Sequence, residues 1–201
     1  MKKVYLDYFF GYPKDEIYFL ANRVGRKLLD YLGDELFLLL VDSKILLSSY
    51  DIEKLSRIKD STWKLHSASK SLEGFLNKLI VNKKLYTNKN QRIGDVFGDQ
   101  KEVLKKKIGD IRLIAKTKST WDYCRNDVMH YQRGKKYRYD EMQKRFEEII
   151  EIMKLLYEDL YNTESKPDDE IDKGFKMYVS SKYAGLKYNL KERIIRLIRK
   201  I

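Results

Sequence analysis

One cysteine, two prolines, two histidines and ten glycines are a small allotment for 201 residues, and each shortage excludes something. A lone Cys124 rules out an intramolecular disulfide and points to a reducing compartment. So little proline and glycine leaves few of the tight turns that an all-β fold needs. No run of 18 apolar residues occurs, so no membrane-spanning helix is expected. The start Met1-Lys2-Lys3 leads into a short apolar run that carries Asp7 and no small-residue cleavage site. No signal peptide is therefore expected, and the cytoplasm is the default location. No His/Asp/Cys cluster has metal-ligand spacing, and no glycine-rich phosphate loop is present. Neither a metal nor another cofactor is expected.

What is present suits a helical, heavily charged globule of one domain, or one domain and an appendage. The chain is 43% hydrophobic and 36% charged, rich in Lys, Leu, Ile, Glu and Tyr. Its net charge is +12, an excess that attracts polyanions, of which nucleic acid is the usual one.

Along the chain, Val4 to Phe10 reads as a strand or as the lead-in to a helix. Pro13-Lys14-Asp15-Glu16 reads as a helix start, with proline and acids in the first turn. Ile17, Leu20, Val24, Leu28 and Tyr31 then keep one helical side until Gly33. Glu35 to Leu47 is apolar nearly all round, the pattern of a buried helix, with a buried strand as the competing reading. Asp51 to about Lys84 predicts one long helix or two in sequence, and Tyr86 to Gln100 a loop. Lys101 to Ile108 suits a short helix stopped at Gly109. Ile111 to Tyr131 is helical, either capped by Ser119 or Thr120 or starting earlier, near Ile114. Asp140 caps an amphipathic helix to about Tyr161, with Met142, Phe146, Ile149, Ile150, Met153, Leu156 and Leu160 on its apolar side. The polar stretch Glu164 to Glu170 is the best boundary. It divides a helical domain, 1–163, from an extension, 164–201, whose last helix (Leu190 to Ile201) has a basic face. Phe175 to Leu186 is tyrosine-rich and ambiguous.

The chemistry concentrates in Cys124-Arg125-Asn126-Asp127-Val128-Met129-His130-Tyr131. RNA cleaves when its 2′-hydroxyl attacks the adjacent phosphate, which requires proton transfer and a group that holds the charge of the phosphorane. Histidine suits the first task, since a pKa of about 6.5 makes both protonation states accessible near neutrality. Arginine suits the second, because its planar fork matches phosphate oxygens and keeps its charge. On an α-helix, positions five apart are rotated by about 140° and separated by about 7.5 Å. Arg125 and His130 then flank a crevice, while Asn126 and His130, four apart, share a face. One helix supplies few groups, and pairing two across a two-fold axis doubles the count in one cleft.

Arg125-Asn126-Asp127-Val128-Met129-His130 resembles the RNxxxH form of the arginine–histidine motif of HEPN domains, helical bundles that include many metal-independent endoribonucleases of toxin–antitoxin, CRISPR and abortive-infection systems. The stretch from Ser67 to Leu76 is similar to the segment before the motif in the ribonuclease LS toxin family, where a basic residue and a glutamate three apart support the arginine and histidine. Lys70 and Glu73 match that spacing and share a helix face. Lys70 stands where arginine is expected, so a point charge replaces a bidentate fork. The resemblance covers about Pro13 to Thr163. It implies an all-α HEPN-type bundle that forms a homodimer. It also implies a metal-independent endoribonuclease, cutting single-stranded RNA at a composite interface site and leaving 2′,3′-cyclic phosphate ends. His130 would be general acid or base, and Arg125 the transition-state stabiliser. Asn126 and Glu73 would orient the histidine, and Lys70 would add charge for phosphate. The setting would be a toxin or antiviral effector, restrained by an antitoxin or another regulatory protein.

Arg133, Lys135, Lys136 and Arg138, with Tyr137 between them, suggest RNA guidance and base stacking; a solvated loop is the plain alternative. Lys105-Lys106-Lys107 reads as surface. His66, with Ser61 and no arginine five positions before it, reads as structural, and Cys124 as a buried, inert thiol. Two other classes of function stay open: a non-catalytic HEPN module that binds RNA or nucleotide, and a helical interaction subunit of a defence complex.

Overall fold

The computed structural model describes residues 14–48, 62–86, 91–98, 101–128 and 139–161. Among them every regular element is helical and no strand occurs, so the described protein is all-α. Val4 to Phe10, His130, the basic loop 133–138, the expected boundary at 164 and the terminal helix lie outside the described residues. The chain divides into two compact units, Met1–Leu29 with Lys166–Ile201 and Asp30–Ser165. Within the first unit the described part is α1 (Lys14–Val24) and the opening of α2 (Arg26–Ser48). Asp15 and Glu16 lie in the first turn of α1, where they complement the helix dipole. Ile17, Leu20, Ala21 and Val24 make one buried stripe. A single helix through Tyr31 was the expectation. The chain instead breaks at Gly25, whose φ of 80° suits a residue without a Cβ.

The second unit holds the site. Gly33, with φ 75° and ψ 175°, interrupts α2, and the helix resumes through Phe37, Leu40, Val41, Ile45, Leu46 and Leu47, all buried. The apolar run 35–47 is thus a buried helix and not a strand. A 3-10 turn, Thr62–Leu65, leads directly into α3 (His66–Asn82). Leu72, Phe75, Leu76 and Leu79 give α3 a fully buried side. Two polar bonds fix it to α2: Ser43 Oγ accepts from the Ala68 amide at 2.8 Å, and Ser71 Oγ donates to the Leu36 carbonyl at 2.7 Å. A Cβ on Gly74 would collide with the Leu36 side chain, so glycine permits this close approach.

Downstream, two expectations are corrected and one choice between alternatives is decided. Tyr86 to Gln100 contains a short helix, α4 (Ile93–Gly98), where a loop was expected. Its apolar residues Ile93, Val96 and Phe97 are buried, and Asp95 reaches back to accept from the Arg92 amide at 3.0 Å. After α5 (Lys101–Lys105), helix α6 (Ile111–Tyr123) takes the earlier of the two expected starts, close to Ile114 and not at Ser119. Asp110 caps it, accepting from the Arg112 amide at 2.8 Å. Helix α6 then passes into a π-helical turn, Cys124–Val128, where a continuing α-helix was expected. Helix α7 (Tyr139–Tyr161) follows the expected pattern, with Met142, Phe146, Ile149, Ile150, Met153 and Leu156 buried. It packs on α3, α6 and the 3-10 turn, while the π turn packs on α6, α3 and the same 3-10 turn. No described helix is long and apolar enough to cross a membrane.

Candidate active site

The polar side of α3 builds one wall of a cleft. His66, Lys70, Glu73 and Asn77 follow at i, i+4, i+7 and i+11, a helical repeat that aligns them along the helix opposite the core stripe. Lys70 Nζ and Glu73 Oε2 form an ion pair at 3.0 Å, with the two side chains 47% and 34% exposed. The rest of the polar lining comes from two other places in the chain. Gln91 and Arg92 project from the start of α4, and Arg125 from the π turn. Ile93 and Trp121, both buried, close the floor. The cleft is open to solvent and has a volume of about 620 Å³, within the range of small-molecule sites.

The π turn explains how Arg125 is presented. Cys124 and Val128, at its two ends, are buried, while Arg125 and Asn126 between them are exposed. The turn is thus anchored at both ends and lifts its polar middle outward. A π turn closes i to i+5 in place of i to i+4, and such turns recur at functional sites. The rotation of about 140° between positions five apart belongs to an α turn and does not hold across this one. Below the turn, Tyr123 donates to Met142 Sδ at 3.6 Å, and its ring lies 4.6 Å from the Arg145 guanidinium. Arg145 in turn pairs with Glu148 at 2.8 Å. Burial pushes the Cys124 thiol up to about 12. The expected inert thiol is thus what the surroundings of Cys124 favour.

Two of the three cations on the cleft carry no carboxylate partner among the described residues. Lys70 is paired with Glu73, whereas the guanidiniums of Arg92 and Arg125 take no ion pair there. Two positive forks therefore line a space that also holds an imidazole and two amide side chains, Asn77 and Gln91. The arrangement suits a phosphate, whose oxygens match a guanidinium fork.

Lys70, Glu73 and Arg125 were singled out from the sequence and are brought together here. Asn126 is exposed and does not line the cleft. Glu73 pairs with Lys70 in the described structure; His130, which it was expected to orient, lies outside the described residues, as do Arg133, Lys135, Lys136, Tyr137 and Arg138. The sequence reading missed Arg92 and assigned His66 to a structural place. The polar repeat from His66 to Asn77 was a visible signal for His66. Arg92 has none, because the Asn-, Asp- and Gly-rich segment around it carries no helical periodicity. No group of three or more His, Cys, Asp or Glu among the described residues is arranged to hold a metal ion. No protein-family model, curated protein or solved structure matches this chain.

Proposed function

We propose that this protein is a metal-independent endoribonuclease of HEPN type, cleaving single-stranded RNA as a toxin or antiviral effector in the cytoplasm. The observation that carries the reading is the convergence of Lys70, Glu73 and Arg125 on one cleft, although two distant segments supply them. These are the residues that the resemblance makes the supports of an RNA-cleaving site. In this reading Arg125 holds the phosphate and the charge that develops on it. Lys70 adds a point charge, held in place by Glu73. His130, five residues beyond Arg125, moves a proton to or from the reacting oxygens. Asn126 steadies His130, and the basic run from Arg133 to Arg138 guides the strand toward the cleft. Two protomers pair so that two copies of the motif serve one RNA path, and an antitoxin or regulator holds the activity in check.

The test is cleavage of single-stranded RNA in EDTA by wild type, Arg125→Ala and His130→Ala. Wild type is expected to release fragments with 2′,3′-cyclic phosphate ends, and both variants to lose the activity while still folding. Cleavage that persists in His130→Ala overturns the assignment. RNA binding without cleavage by wild type points instead to a non-catalytic binding module. A protein that stays monomeric at all concentrations overturns the shared site.

A further inference from the structure

Arg92 has no part in the roles that the arginine–histidine motif implies, yet its side chain lines the same cleft as that of Arg125. Its backbone is held in place. The Arg92 amide donates to Asp95 Oδ2 at 3.0 Å, and its carbonyl accepts from the Asp95 and Val96 amides at 3.0 and 3.1 Å. Ile93, the next residue, is buried in the cleft floor. Arg125 is seated in a similar way, directly after buried Cys124 in the π turn. Both arginines are exposed, and neither guanidinium has a carboxylate partner among the described residues. Two anchored backbones thus present two uncompensated cations to one space.

The charge of the cleft sets how much anion it takes. Its charged side chains are Lys70, Arg92 and Arg125 against Glu73, an excess of two positive charges. Lys70 and Glu73 are paired with each other, so that excess resides on the two arginines. One phosphodiester carries a single negative charge and balances only one of them. The lining also includes the amide side chains of Asn77 and Gln91, groups that suit the sugar hydroxyls and base edges lying between phosphates. A bare phosphate ion would leave those amides without a role, and a stretch of strand would engage them. We propose that the cleft takes two phosphates of one RNA strand, one on Arg125 and the other on Arg92, which makes Arg92 a second substrate-binding residue. The proposal rests on the ribonuclease reading for RNA as the strand that enters the cleft. The phosphate on Arg92 is not the one that reacts, so its grip is equal in ground and transition states.

The probe is a 2′-O-methyl RNA trinucleotide without end phosphates, which lacks the attacking 2′-hydroxyl and is not cleaved. It is compared with two versions in which one linkage is an uncharged methylphosphonate, with binding read by NMR titration at low salt. In wild type each replacement is expected to weaken binding by about tenfold, as the loss of a charge-assisted contact does. In Arg92→Gln one of the two replacements is expected to cost less than about twofold, and in Arg125→Gln the other one, because the partner charge is already gone. Arg112→Gln, which removes an exposed cation of α6 outside the cleft lining, should behave as wild type. On a long single-stranded RNA, Arg92→Gln should raise KM by about tenfold and keep kcat within about threefold. If the same linkage becomes silent in both arginine variants, they share one phosphate and the proposal falls. It also falls if the trinucleotide binds wild type only when it carries a terminal phosphate, which would set one dianion across both arginines. An Arg92→Gln protein that matches wild type on all three probes and still cleaves RNA overturns the role of Arg92 and leaves the ribonuclease reading standing. The expected binding pattern in a wild type that cleaves no RNA overturns the ribonuclease reading and keeps the grip on two phosphates.

Discussion

At the C-terminal end of α3, Lys78 donates to the Tyr31 carbonyl and lies 4.7 Å from the centre of the Tyr31 ring, while Lys83 sits 3.4 Å over Tyr161. Tyr31, Tyr157 and Tyr161 stack and tilt against one another at 4.7 to 5.4 Å. Burial above all, with Tyr161 beside them, raises the phenols of Tyr31 and Tyr157 above the usual tyrosine range. At the N-terminal end of the same helix, Lys70 is balanced by Glu73, but Arg92 and Arg125 face the cleft without a carboxylate partner among the described residues. One end spends its cations on the protein's own carbonyls and rings. The other leaves two guanidinium forks lining an open cleft. Similar side chains thus pack against the protein at one end and line an open cleft at the other, and what separates them is the set of neighbours that tertiary packing supplies.

The largest expected effect sharpens that contrast. Arg125→Ala should reduce RNA cleavage by about 100- to 1000-fold, as the loss of one transition-state donor does. Lys78→Ala and Lys83→Ala should leave it within about twofold, read in the same EDTA assay with circular dichroism to show retained helix. Equal losses at both ends would erase the distinction. Next, Tyr31→Ala should cost about 2 kcal/mol of stability in urea, because it removes a half-buried ring from an aromatic cluster. Its cleavage rate under folding conditions should stay near wild type. Glu73→Gln should lower cleavage by about tenfold through a less well-placed Lys70, yet shift stability by less than about 1 kcal/mol, because the ion pair it breaks is largely exposed. A stability loss of several kcal/mol would mean that Glu73 serves the fold.

The smallest effect at neutral pH concerns the buried thiol of Cys124. The folded value for Cys124 lies above its ordinary value of 9.0, so its contribution to stability is complete below that pH and is lost as pH rises toward about 12. Denaturation curves of wild type and Cys124→Ala should run parallel below pH 9 and converge or cross above it. A gap that stays constant to pH 11 would place the thiol in a more polar setting than its burial suggests.

The apolar repeat of 139–161, the helix-stopping role of Gly33 and the shared face of Lys70 and Glu73 were all legible in the sequence. Each depends on local periodicity or on the φ that only glycine tolerates. The break at Gly25 was not, since an apolar stripe runs on through it from Val24 to Leu28. Helix α4 was hidden for a similar reason: six residues are too few for periodicity to speak, and burial of Ile93, Val96 and Phe97 holds the segment helical. The π turn also escaped, because an α turn and a π turn share composition and differ in how the buried ends Cys124 and Val128 are seated.

By itself, then, the sequence determined the helical class, the basic charge and the residue types able to grip and cleave a phosphodiester, because these follow from composition and near-neighbour spacing. Tertiary structure alone decided which of those residues meet. It set Arg92 and Arg125 on one cleft with Lys70, moved His66 from scaffold to cleft wall, and left Asn126 outside. The physical reason is that a cleft is made by surfaces distant in the chain, and their approach is governed by the packing of apolar faces that carry no chemistry of their own.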